Sequence, residues 1–147
     1  MKVLTVKQPW AWLIVQGFKD IENRTWVTNY RGPLLIQASA HRSSKRYTAE
    51  VHEFARARGV ELPETFEQGG IVGIVELIDC VREHQSPWFE GPVGWVLENA
   101  RELPFVPCCG RLGLFAPPES VLDYLPDHLK ESSTSGSSSR SPVDEFD

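Results

Sequence analysis

The densest chemistry in the chain lies in Gly17–Trp26, `GFKDIENRTW`, which brings Lys19, Glu22 and Arg24 close together. If Asp20–Arg24 is extended, Glu22 and Arg24 point to one side, because side chains in a strand repeat every second residue. A Lys, a Glu and an Arg converging on one pocket either pair with one another or grip an anionic ligand. Arg supplies a planar fork suited to phosphate or to a base edge, and Glu accepts hydrogen bonds from exocyclic amines. Lys19 and Glu22 are also residue types that serve as acid and base. From these residues alone, a surface ion-pair cluster and a ligand site stay equally open. Lys19 follows Gly17 by two residues, which predicts an ammonium at the edge of the fold. Lys19 and Arg24 are accordingly expected to serve a ligand and not stability.

Aromatic residues add a second element of recognition. Trp10, Trp12, Trp26, Trp88 and Trp95 are many for a chain of 147 residues. Trp10 and Trp12 are two apart on a predicted helix and cannot share a face, so one is expected in the core and the other beside a cleft. Trp26 closes the Lys-Glu-Arg segment and Trp88 sits in the loop `HQSPWFEGP`, and either can stack on a base. Trp95, inside a predicted strand, reads as core.

Other chemistries are missing. The chain has neither G-x-x-x-x-G-K-[ST] nor G-x-G-x-x-G, the common Gly-rich phosphate cradles. It has no C-x-x-C pair and no H-E-x-x-H; Cys108 and Cys109 are adjacent, which suits neither a chelate nor an easy disulfide, the four histidines are scattered, and no metal or other cofactor is expected. Cys80 reads as a core residue. The odd cysteine number argues against a disulfide framework and for a reducing compartment, cytoplasmic or nuclear. No run approaches the ~18 apolar residues of a membrane span, and Lys7 and Pro9 break the N-terminal run too early for a signal peptide.

The elements that would position these groups follow from periodicity and punctuation. Residues 1–6 read as a strand, and Pro9 can open the helix `WAWLIVQG`, which is apolar on most sides and ends at Gly17. `GPLLIQAS`, ending at Ser39, reads as a buried strand. Ser43 or Ser44 can cap a helix with the stripe Tyr47, Val51, Phe54 and Ala55, ending at Gly59. Gly69–Val81 is β-branched and apolar on both faces, as in a covered central strand, and its glycines suggest a bulge. Further strands are expected at Gly94–Glu98 and Leu112–Phe115, and a short last helix at Pro118 carrying Val121, Leu122 and Leu125. About five strands and three helices, not in strict alternation, predict an α+β fold: one small mixed β-barrel with flanking helices over residues 1–130. Residues 131–147, with seven serines, cannot bury enough surface to fold and are expected to form a disordered tail.

Charge is uneven. Residues 1–60 carry ten Lys and Arg against four Asp and Glu, or +6, whereas the remaining 87 carry −11, for a net −5. A basic half within an acidic chain suits one face that meets phosphates. Arg42, Lys45, Arg46, Arg56 and Arg58 on or beside the second helix are the candidates for sequence-independent backbone contacts.

The segment `GFKDIENR` fits the G-x-K-x-x-E-x-R signature of the ASCH domain. `LTVKQPWAWLI`, `YRGPLLIQAS`, `GGIVGIVELIDCV` and `GPVGWVL` fall in the order that ASCH proteins show, so the chain resembles that family over most of residues 1–116. The resemblance implies a PUA-like barrel with a cleft beside the first helix, a nucleic acid or nucleotide as partner, and nuclear residence in a eukaryotic relative. Lys19, Glu22, Arg24, Trp10, Trp26, Ser39, Arg42, Arg46 and Trp88 are the binding candidates. Some relatives are enzymes. One small bacterial type deacetylates 4-acetylcytidine with a Lys, a Thr and a Glu. Its lysine maps to Lys19, but its threonine maps to Glu22, so the hydroxyl nucleophile is lacking there, and Thr25 faces away from Arg24. Another is reported as a ribonuclease, a chemistry for which Lys19 and Glu22 are the candidate acid and base. The expectation is a monomeric binding module, with a nucleoside-directed hydrolase and a protein-interaction module, the tail engaging a partner, as alternatives.

Overall fold

A computed structural model describes residues 1–129, so the expectation for residues 131–147 lies outside the described residues. Six strands form one curled, mixed sheet, a half-barrel with three short helices. In chain order these are β1 (Lys2–Val6), α1 (Trp10–Val15), β2 (Ile21–Arg24), β3 (Gly32–Ala38), α2 (Lys45–Arg56), β4 (Gly70–Val81), β5 (Val93–Pro107), β6 (Leu114–Phe115) and α3 (Glu119–Leu122). The sheet order is β2-β5-β4-β3-β1-β6, with β1 parallel to β3 and every other pair antiparallel. The small mixed barrel expected from the pattern is present, with its two margins, β2 and β1–β6, left unjoined by any ladder.

The punctuation works as expected. Trp12 N–H donates to Gln8 Oε1 at 2.9 Å, which satisfies an orphan donor in the first turn of α1. At the other end Gly17 takes φ +84°, its N–H bonds Ile14 O, and Phe18 N–H bonds Leu13 O. This Schellman closure needs a residue without a Cβ, and it turns the chain sharply into β2. Ser44 caps α2, its Oγ accepting from Tyr47 N–H at 3.1 Å. Val51 and Ala55 of the α2 stripe are buried, while Tyr47 stays partly exposed and accepts a bond from Trp10 Nε1.

Two boundaries and one burial differ from the sequence reading. Strand β5 runs to Pro107, well beyond Glu98, because pairing with β4 resumes after a left-handed kink at Asn99 (φ +54°) and holds `RELPFVP` extended despite its prolines. Strand β6 covers only Leu114–Phe115, since Gly113 at φ +67° turns Leu112 away from the ladder. Cys80 is half-buried instead of fully inside, its thiol 3.9 Å from Thr28 O. The bulges foreseen from the β4 glycines occur: the β4–β5 register shifts between Ile71 and Gly73, Ile74 and Glu76, and Leu77 and Asp79.

Helix α1 packs onto the sheet through Ala11, Ile14 and Val15, which share a core with Leu4, Leu34, Ile36, Val75, Leu77 and Trp95. The closest approach is at Gly73, where a Cβ would lie 2.5 Å from Val15 Cγ1 and 2.7 Å from Arg101 O. One of those neighbours is backbone, so the strand cannot yield locally. Gly73→Ala is therefore expected to destabilise the fold by about 1–3 kcal/mol through overpacking. A urea titration checks this; a midpoint equal to the wild type's would mean that α1 slides freely over β4.

Candidate nucleic-acid interface

The turn at Gly17 delivers Lys19 to the start of β2 on the inner side of the curl. Lys19 is only 5% exposed, not at the edge as its distance from Gly17 suggested. The Schellman turn folds the chain back beneath α1, and Trp10 covers the ammonium, with Nζ 5.7 Å from its ring centroid. The Nζ group donates to Ile21 O and to Glu22 Oε1, the latter at 3.3 Å. Glu22 is itself buried, and its other oxygen accepts from Arg24 Nε at 3.0 Å. Arg24 Nη2 lies 3.0 Å from the same oxygen and donates to Thr5 O at 2.8 Å. Strand alternation thus places Glu22 and Arg24 side by side as expected. The carboxylate is clamped between two cations, a charge-assisted arrangement that fixes the guanidinium before any ligand arrives.

The bond from Arg24 to Thr5 crosses the gap between the two margins of the sheet. Beside it lies a hollow of about 340 Å³, lined by residues 4–7 of β1 and its exit, Trp10, residues 22–24 of β2, Ser39, and Arg111, Leu112 and Gly113. Its size falls within the ~300–1,000 Å³ of small-ligand sites. The lining carries Lys7, Arg24 and Arg111 against the single carboxylate of Glu22, so its field favours an anion or an acceptor edge. Lys19 supports this wall from behind. Asn23 turns the other way: Nδ2 donates to Trp88 O, and Oδ1 accepts from Glu90 and Gly91 N–H, tying the loop before β5 to β2.

The remaining candidates are dispersed. Trp10 borders the hollow, whereas Trp12 stacks on Phe18 on another face of α1. Trp26 stands outside the hollow, perpendicular to Trp95 at 4.6 Å between centroids. Trp88 is 5% exposed and packs against Phe54 and the Arg58 guanidinium, because Asn23 draws its loop onto the domain, so its reading as an open stacking platform is corrected. Arg42 lines a separate hollow of about 380 Å³ with Gln8, Glu64 and Phe66. Arg46 extends into solvent from α2 and pairs with Glu50 at 3.5 Å. Lys7, Arg111 and Leu112 complete the site and were not foreseen, since `CCGRLG` carries no periodicity and joins the hollow only through the fold.

This disposition can be compared with known proteins. The sequence profile of the ASCH domain matches residues 4–106. The chain belongs to the ASCH family. Activating signal cointegrator 1 from Homo sapiens is 34% identical over 111 residues, covering 68% of this chain but 19% of that protein. The Mus musculus protein of the same name is 39% identical over 85 residues, 56% of this chain and 15% of its own length. The chain thus corresponds to less than a fifth of those relatives. The ASCH match contains Lys19, Glu22, Arg24 and Trp10 but stops short of Arg111 and Leu112, so the third wall of the hollow lies outside it. Among the described residues no helix is long and apolar enough to cross a membrane, and no cluster of His, Cys, Asp or Glu could hold a metal ion.

Proposed function

We propose that this ASCH domain binds nucleic acid and seats one nucleotide in the hollow between β1, β2 and residues 111–113. The observation that carries this reading is the state of Arg24. Its Nε and Nη2 groups are engaged by Glu22 and Thr5, which leaves both Nη1 hydrogens without a partner among the described residues, beside a positively lined hollow. A guanidinium held in this way is suited to a base edge or a phosphate. Trp10 offers the adjoining aromatic wall and Ser39 a hydroxyl. Arg42 and Arg46, on a different part of the basic half, supply contacts to the flanking phosphates. Glu22 serves as holder and not as base, since each of its oxygens already faces a cation.

Fluorescence anisotropy with single-stranded RNA, single-stranded DNA and a duplex, each at two salt concentrations, tests the proposal. Affinity is expected to fall as salt rises, because phosphate contacts release counterions. Arg24→Ala is expected to weaken binding by about 1–3 kcal/mol, roughly five- to 150-fold, and Arg24→Lys to recover only part of it. If no oligonucleotide binds even at low salt, the reading fails. Hydrolysis of 4-acetylcytidine or of RNA that Lys19→Ala abolishes while affinity persists would make the protein an enzyme instead.

A further inference from the structure

Leu112 is 100% exposed, the most exposed large apolar side chain among the described residues. Of the large apolar residues that remain exposed, it alone lines the Arg24 hollow. Its exposure does not come from a loose loop. On one side Gln37 Nε2 donates to Cys108 O at 2.7 Å, and Arg111 N–H donates to Thr5 Oγ1 at 3.1 Å. Gly110 lies so close to β1 and β3 that a Cβ there would be 2.9 Å from Gln37 Oε1 and 3.0 Å from Thr5. On the other side Gly113 turns at φ +67° and Leu114 pairs with Leu4. A leucine is therefore held outward by anchored backbone at the rim of a nucleotide-sized hollow, next to the cation of Arg111.

We infer that Leu112 is a wedge that enters a base-pair step of a duplex and fills the gap left when one base moves into the hollow. The inference rests on the nucleotide reading above. A base leaving a stack uncovers apolar faces on both neighbours, and an apolar side chain inserted between them replaces the lost contact. Arg111, one residue before, is placed to meet a phosphate of the opened step. The shared chemistry is a stacked base pair, whether of DNA or of RNA.

The test uses DNA and RNA duplexes with a central 2-aminopurine, the corresponding single strands, and duplexes mismatched at that base. The wild type is expected to raise 2-aminopurine fluorescence in at least one duplex. Leu112→Ala should lose that rise and bind the duplex about tenfold more weakly, since the unstacking is no longer offset, with a clearly smaller loss on the single strand, where no step has to be opened. Leu112→Met should restore opening. A mismatch should shrink the difference between wild type and Leu112→Ala, because the base is cheaper to extrude. Because Leu112 is fully exposed, none of these variants threatens the fold. Duplex binding without a fluorescence rise, or an unaffected Leu112→Ala, overturns the wedge while single-strand binding leaves the nucleotide reading standing. Equal losses on single strand and duplex also overturn it, and wild-type binding to neither removes both.

Discussion

Glu22→Ala is expected to destabilise the domain by about 3–5 kcal/mol, the usual cost of removing one partner from a buried ion pair. The loss leaves the Lys19 ammonium beneath Trp10 with Ile21 O as its remaining acceptor, and leaves Arg24 held by Thr5 O alone. Glu22→Gln keeps an acceptor oxygen, so a smaller loss of about 1–3 kcal/mol is expected from the weakened hydrogen bonds. Urea unfolding of the three proteins measures the order directly. A Glu22→Ala variant within about 1 kcal/mol of wild type would mean that the cluster behaves as an exposed surface pair. The same substitution should weaken oligonucleotide binding, since a guanidinium that must be ordered on binding gives up part of its gain.

Trp95→Ala is expected to cost a comparable ~3–5 kcal/mol, typical of truncating a buried aromatic. Trp95 is fully buried, meets Trp26 edge to face, and donates through Nε1 to Trp26 O at 3.1 Å. It is also the register partner of Glu22 across β2 and β5. The cavity therefore opens under the strand that carries the site, and affinity should fall along with stability. Trp95→Phe retains a ring but forfeits the indole N–H bond, and should lie between the two. Chemical denaturation with tryptophan fluorescence, supported by near-ultraviolet circular dichroism, reads out both. If Trp95→Ala unfolds at the wild-type midpoint, Trp95 does not anchor the core beneath β2.

Local rules make part of this legible in the sequence. Alternation placed Glu22 beside Arg24, Gly17 ended α1 through a left-handed turn, and Ser44 capped α2 through its hydroxyl. Each of these depends on residues within a few positions of one another. Lys19 could not be read the same way, because its burial depends on Trp10 folding over it from nine positions away. Trp88 has an ordinary loop sequence, and only the amide of Asn23, 65 residues earlier, draws that loop inward. The second half of β5 is set off by a left-handed Asn99 and carries Pro104 and Pro107, which read as turn signals, and it is extended because β4 pairs with it. Arg111 and Leu112 join the hollow only because β6 returns to pair with β1.

The margins of the sheet meet through Arg24 and Thr5, not through a ladder of backbone bonds. A ladder is stiff, since parting two strands breaks every rung in turn. A single guanidinium latch gives the mouth of the hollow a mechanical compliance that a closed barrel lacks. The aperture can widen by one rotation of one side chain while the β3–β4–β5 spine keeps its register. On the function proposed above, recognition of the ligand and closure of the sheet would fall to one side chain.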